Sequence, residues 1–237
     1  MTAEEMVQRM ANGETLTLSA DEMAELVRYH DTQDMQRGIR EAMRMAEPLS
    51  ADNVEHLLCK YANTRTRWDF FTQIASTFEM TADAYATGLR SAYTTGQPQN
   101  RYDALRCFHA VRDKRKLMNA AELRTLQDMP ARFTIYRGCS IDEYNSHVYG
   151  SSWTTERSVA DFFAWRFDKQ DSSRCVVSCM IDKERVLAYF AERREHEVVA
   201  DIIGTAAGVK LEATAPTADY LERVQQHGEH AAAFHTT

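Results

Sequence analysis

The chain has 237 residues, with 28 basic against 35 acidic side chains and a formal net charge of −7, which is length enough for one large domain or two modest ones with real hydrophobic cores. The mildly acidic balance argues against broad electrostatic binding to nucleic acid. No apolar run approaches a membrane span, and the opening Met1-Thr2-Ala3-Glu4-Glu5 lacks the basic and apolar regions of a signal peptide, so a cytoplasmic protein with no membrane partner is expected.

The N-terminal half is helical in pattern. Ser19-Ala20-Asp21-Glu22 is a capping-box signature, and Met23, Leu26, Val27 and His30 then mark one helix face. Further helical runs are expected over Asp34 to Ala46, Asn53 to Tyr61, Trp68 to Phe78, Ala82 to Tyr93 and Tyr102 to Gln127, with breaks at Pro48, at Gly96-Gln97-Pro98-Gln99-Asn100 and at Pro130. The last run carries the basic cluster Arg112-Asp113-Lys114-Arg115-Lys116, which reads either as a solvated helix face or as a contact for phosphates or an acidic surface. The organisation expected is α+β: a helical region over residues 1–128, of which 1–50 is a candidate separate appendage, and a strand-rich region over 129–237.

Chemistry-bearing residues gather in the second region. Arg132-Phe133-Thr134-Ile135-Tyr136 alternates as a strand does, which puts Phe133, Ile135 and Arg137 on one face. An arginine on an apolar side needs an anchoring carboxylate or phosphate, and Gly138 beside it admits a close approach to the backbone. A structural arginine before a turn glycine is the plainer alternative. After Gly150, Ser152 and Thr154 share a strand face while Trp153 points the other way. A helix follows, with Ala160, Phe163, Ala164 and Phe167 at core-facing spacing and Thr155 or Ser158 as its N-cap.

Cys175-Val176-Val177-Ser178-Cys179-Met180-Ile181 is strand-like. Its two cysteines, with Cys59, Cys107 and Cys139, make an odd and scattered set without CxxC spacing, so reduced packing thiols are expected rather than disulfides or zinc. Val186-Leu187-Ala188-Tyr189-Phe190-Ala191-Glu192 follows, either as an ordinary strand or as a segment that shows Tyr189 and Phe190 to a partner. Glu195-His196-Glu197 then opens an apolar stretch of Val198, Val199, Ala200, Ile202 and Ile203. Two carboxylates at i and i+2 of a strand project from one face, with His196 on the other. In isolation, a salt-bridged edge strand countered by Arg193 and Arg194 is the better explanation of such a pair. Gly204-Thr205-Ala206-Ala207-Gly208-Val209-Lys210 lacks the Gly-Lys-Ser/Thr ending of a phosphate loop and reads as a hairpin turn. His227, His230 and His235 lie in a Gly- and Ala-containing tail, and no metal site is expected.

Taken in order, Tyr136-Arg137-Gly138, Ser152-Trp153-Thr154 and Glu195-His196-Glu197 resemble the motifs of the mono-ADP-ribosyltransferases of the Arg-Ser-Glu class, which includes arginine-modifying bacterial toxins and bacteriophage enzymes. Ser151-Ser152-Trp153-Thr154-Thr155, with Ala160 and Phe162-Phe163-Ala164, is similar to a run found in phage and prophage members. The resemblance covers roughly the last hundred residues. It implies a β-sandwich catalytic core over 129–237 with a central NAD cleft, walled on one side by the helices just before Arg132. NAD is the implied co-substrate, and an arginine of a target protein the implied acceptor. Nucleic acid is a less favoured acceptor, and a host or recipient cell is one place of action.

The resemblance also implies roles. Glu197 bonds a ribose hydroxyl and stabilises an oxocarbenium-like transition state, and Glu195 orients the incoming guanidinium. Arg137 contacts a phosphate or ribose of NAD, Gly138 offers its backbone to the nicotinamide amide, Ser152 and Thr154 hold the ribose side or Glu197 itself, and Phe163 stacks on nicotinamide. The chain departs from the commoner toxin motif in carrying Trp153 where a Thr is usual. An NAD glycohydrolase using the same site, and a non-catalytic binding protein retaining the fold, are the alternatives.

Overall fold

The computed structural model describes residues 1–96, 98, 100–166, 173–191, 195–204, 208–218 and 220. Two compact units emerge, Met1–Asp103 and Ala104–Thr237. The division falls earlier than the change in composition at 128/129, because the helical segments between these points pack with the strands that follow.

The first unit holds α1 (Ala3–Ala11), α2 (Ala20–Ala42), α3 (Ala51–Tyr61), α4 (Arg67–Thr77) and α5 (Ala82–Thr95). Thr2 with Glu5, Ser19 with Glu22 and Ser50 with Asn53 form capping boxes that satisfy the first amides of α1, α2 and α3. The runs expected from Ser19 and from Asp34 are one helix, since Asp31 between them bonds Asn63 and Arg65 and caps nothing. Residues 1–50 belong to this unit: α2 packs on α3 and α4, and a side-chain carbon at Gly38 would lie 2.4 Å from the Phe70 ring.

On α2, Glu41 accepts from Lys60 Nζ at 2.8 Å, from the Tyr61 hydroxyl and from His56 Nε2 at 2.6 Å, all on α3. These bonds, that from Lys60 first, hold its carboxyl down at about 2. A depressed carboxylate contributes stability that is complete above its unfolded value, near 4.5, and is lost as pH falls toward 2. Glu41→Gln should therefore lower the melting temperature of the full chain at pH 6, and the gap from wild type should close between pH 4.5 and pH 2. Parallel curves across that range would refute this linkage.

The second unit comprises α6 (Arg101–Ala110, whose first turn holds the unit boundary), α7 (Ala120–Asp128), β1 (Arg132–Ser140), α8 (Ile141–Ser146), β2 (Ser152–Thr154), α9 (Arg157–Trp165), β3 (Arg174–Asp182), β4 (Val186–Phe190), β5 (Glu197–Ala200) and β6 (Lys210–Ala213). The helix expected from Tyr102 to Gln127 is interrupted. Asp113 caps a short 3-10 turn over Lys114–Leu117, and Asn119 with Glu122 starts α7 afresh through a capping box. Within the basic cluster Arg115 pairs with Asp113 and stays exposed.

The strands form one antiparallel sheet in the order β4-β5-β2-β1-β3-β6. β1 and β3 are in register along nine residue pairs, from Arg132↔Asp182 to Ser140↔Arg174. β1 and β2 meet at one, Tyr136↔Thr154. The sheet is thus two three-stranded halves joined at a narrow seam, and both halves contribute to a single core that includes Ile135, Trp153, Val177, Tyr189 and Val198. A smaller cluster of Ala160, Ala164, Trp165 and Val176, joined by Tyr136, places α9 on the other face. The hairpin expected near Gly204 is not formed: β5 pairs with β2 and β4, whereas β6 pairs with β3 at the far side of the sheet. Residues 205–207 of that turn, Arg193, Arg194, Phe167 and the three C-terminal histidines lie outside the described residues.

Helices just before β1 do cover strands. Phe108 of α6 lies 6.4 Å from Phe190, ring to ring, and α7 packs on β4. Glu122, 1 % exposed, accepts from the amides of Asn119 at 2.8 Å and Ala191 at 3.0 Å. One carboxylate thus closes the α7 cap and secures the end of β4. Glu122→Ala leaves both amides without it and should cost about 1–3 kcal/mol, read as a lower denaturation midpoint; a midpoint within error of wild type would remove Glu122 as an anchor.

Candidate functional site

Register fixes which motif residues share a face. One line of paired residues crosses the whole sheet, Phe190↔Glu197↔Thr154↔Tyr136↔Ser178↔Lys210. Directly paired residues project to the same side, so Glu197, Thr154, Tyr136 and Ser178 face the side that carries α9. Alternation puts Arg137 on the opposite side, with Ile135 and Cys139 of the main core.

Arg137 is anchored there by a carboxylate from α8. Its Nε donates to Glu143 Oε1 at 2.8 Å and its Nη2 to Glu143 Oε2 at 3.5 Å, while Nη1 donates to the Ser152 carbonyl at 2.6 Å. Glu143 is held in turn: its amide bonds the Ser140 hydroxyl, and its Oε1 accepts from the Gly150 amide at 2.8 Å. A side chain at Gly150 would displace the guanidinium from this position, because a Cβ would fall 2.5 Å from Arg137 Nη2. The guanidinium charge is therefore countered within the protein, with both partners about one-fifth exposed. Arg137, to which the resemblance assigns a phosphate or ribose, is thus paired here with Glu143 and the Ser152 carbonyl. Ser140-x-x-Glu143 looks like a capping box in the sequence, and nothing local tells that the glutamate turns to Arg137.

Ser152 ties the two sides together. Its carbonyl accepts from Arg137, and its hydroxyl donates to Glu197 Oε1 at 2.5 Å. Glu197 is 8 % exposed at the start of β5, so the hydroxyl supplies a partner that a carboxylate at this depth requires. Glu143, Arg137, Ser152 and Glu197 form one continuous chain of bonds across the seam between β1 and β2. Thr154, also buried, donates to the Glu195 carbonyl at 2.8 Å and accepts from the Glu156 amide at 3.0 Å. Thr154 thereby satisfies the start of α9, whose cap residue is Glu156 rather than Thr155 or Ser158.

Glu195 is not placed as the strand pattern predicts. His196 has φ +47°, in the left-handed region, which costs an L-residue about 1–2 kcal/mol. Strand β5 starts only at Glu197. The two-residue repeat needs extended backbone at the middle position, so Glu195 does not inherit the face of Glu197. The histidine ring meets Tyr189, its Nδ1 lying 2.8 Å from the phenol oxygen. Tyr189 and Phe190 themselves are buried, 1 % exposed each, and face the interior rather than a target.

Gly138 lies directly against α9. A Cβ there would lie 2.3 Å from Ala160 O and 2.4 Å from Ala164 N, so the close approach is made by the backbone of α9. Phe163 is half-buried on that helix, with the Arg166 guanidinium 4.9 Å over its ring. Cys139 and Cys175, opposite each other on β1 and β3, are free, buried and 3.6 Å apart at sulfur. The bond to Cys175 and burial push the Cys139 thiol up, as for a packing thiol rather than an activated one. Among the described residues no helix is long and apolar enough to cross a membrane, and no group of three or more metal-ligating side chains converges.

The arrangement thus offers a buried carboxylate held by a hydroxyl, a second carboxylate two residues before it on a kinked segment, and an arginine that braces the hydroxyl-bearing strand. No protein-family model, curated protein or solved structure matches the chain.

Proposed function

We propose that the chain is an NAD-dependent mono-ADP-ribosyltransferase that moves ADP-ribose from NAD to an arginine of a target protein. The observation that carries this reading is the bonded series Arg137–Ser152–Glu197, in which Arg137 of β1 holds the Ser152 carbonyl of β2 and the Ser152 hydroxyl bonds the Glu197 carboxylate of β5. The strands form one six-stranded sheet rather than two separate layers, and its narrow seam with a core shared by both halves is what supports reading it as the β-sandwich that the motifs imply.

The residues fit the co-substrate where charge must be handled. A carboxylate accepts hydrogen bonds from sugar hydroxyls, and its negative charge favours a ribosyl cation more than the neutral sugar. In this reading Glu197 does both, and Ser152 orients it. The C1″–N bond to nicotinamide breaks with its electron pair passing to the ring nitrogen, a guanidine nitrogen of the acceptor bonds C1″, and the proton it sheds passes to Glu195 or to solvent. Arg137 is a positioning residue that acts through Ser152, its charge being engaged by Glu143. Phe163 and Thr154 line the same side of the sheet region as α9 and complete the proposed NAD-facing set.

The kinked placement of Glu195 favours a second reading, an NAD glycohydrolase in which water takes the acceptor's place. Incubation with labelled NAD and a host-cell lysate separates the readings. Label on protein, lost in Glu197→Ala, supports the transferase; free ADP-ribose with unlabelled protein assigns water; undiminished labelling by Glu197→Ala would overturn the site.

A further inference from the structure

We infer that His196 is the positioning residue that fixes the presentation of Glu195, and so sets how ADP-ribose is partitioned between a guanidine acceptor and water; this rests on the transferase reading above. The left-handed backbone at His196 is what separates the two carboxylates of the motif. It is held from three directions. Thr154 Oγ1 donates to the Glu195 carbonyl at 2.8 Å, the Thr155 amide donates to the His196 carbonyl at 3.3 Å, and the ring of His196 bonds the buried Tyr189 hydroxyl.

Each bond has a separate source, in β2, the residue after it and β4. Tyr189 is in register with Val198, two residues beyond His196, so the imidazole lies on the side away from Glu197. Glu197 keeps its own support from Ser152. The histidine can therefore govern Glu195 without touching the group that stabilises the ribosyl cation. Histidine tolerates the left-handed region better than most residues, as does asparagine, whereas a β-branched residue there is an outlier.

The experiment uses the full chain, NAD and arginine methyl ester as the guanidine probe, and measures nicotinamide release alongside label on the ester. His196→Val should cut ester labelling about tenfold, with nicotinamide release close to wild type and the difference recovered as free ADP-ribose. His196→Asn, which readmits the backbone conformation but not the ring bond to Tyr189, should recover part of the ester labelling that His196→Val loses. Tyr189→Phe, which removes only the hydroxyl, should shift the partition the same way as His196→Val and serves should the valine variant fail to fold. An unmoved partition in the folded variants, or release and labelling falling together, would overturn the role of His196. A wild-type protein that releases no nicotinamide would instead overturn the transferase reading and this inference with it.

Discussion

Glu197→Gln is expected to lower the kcat for nicotinamide release by about 10²- to 10³-fold, with little change in melting temperature. The amide occupies the same volume, and its oxygen can still accept from the Ser152 hydroxyl that now lies 2.5 Å from Glu197 Oε1. What it lacks is the negative charge that would meet a developing ribosyl cation. In a site where the carboxylate is 8 % exposed, that charge is poorly screened by water and acts more strongly than it would at a surface. An amide should also impair binding of the uncharged sugar less than it impairs turnover, so KM should move little. Steady-state nicotinamide release and a thermal melt of both proteins decide the matter. Turnover of the glutamine variant within a few-fold of wild type would remove Glu197 from the chemistry.

Gly138→Ala is expected to destabilise the second unit by about 1–3 kcal/mol or more. The added methyl would lie 2.3 Å from one backbone atom of α9 and 2.4 Å from another. Neither is the tip of a flexible side chain, so relief requires moving the helix or the strand. Either movement strains the cluster of Ala160, Ala164, Trp165 and Val176. A lower melting temperature and a lower denaturation midpoint are the expected results. If Gly138 instead served only to let a ligand approach, the alanine variant would melt like wild type and bind NAD more weakly; thermal melts with an NAD titration distinguish these outcomes.

The fold class and most helices were legible in the sequence because their signals are local. Capping pairs such as Ser19 with Glu22 mark starts, and the alternation around Ile135 marks β1 and the side on which Arg137 lies. Asn119 with Glu122 carries the same kind of signal and marks the break that a continuous helix to Gln127 overlooks. The bond from Ser152 to Glu197 is one of the two roles that the resemblance implies for Ser152, and the register of β2 with β5 makes it possible. What was not legible depends on distant partners or on one dihedral. Glu143 and Glu122 sit at third helix positions, where glutamate is ordinary; that one serves Arg137 and the other Ala191 is a matter of tertiary placement. The separation of Glu195 from Glu197 turns on a single φ at His196, which no periodicity reveals. That the backbone of α9 crowds the Cβ position of Gly138 is likewise a tertiary matter that the local sequence does not reveal.

The narrow junction of β1 with β2 has a mechanical consequence. A ladder of nine pairs, as between β1 and β3, resists sliding of one strand along the other, whereas a single pair resists it little. Shear between the half-sheets is instead borne by side chains, foremost the Arg137 fork that grips the Ser152 carbonyl from one half and Glu143 on the other. Glu197 rides on the half that carries Ser152. The sheet ladder fixes the proposed catalytic carboxylate within its own half, and a clamp of charge and hydrogen bonds fixes it relative to β1, so that second alignment is only as stiff as the clamp.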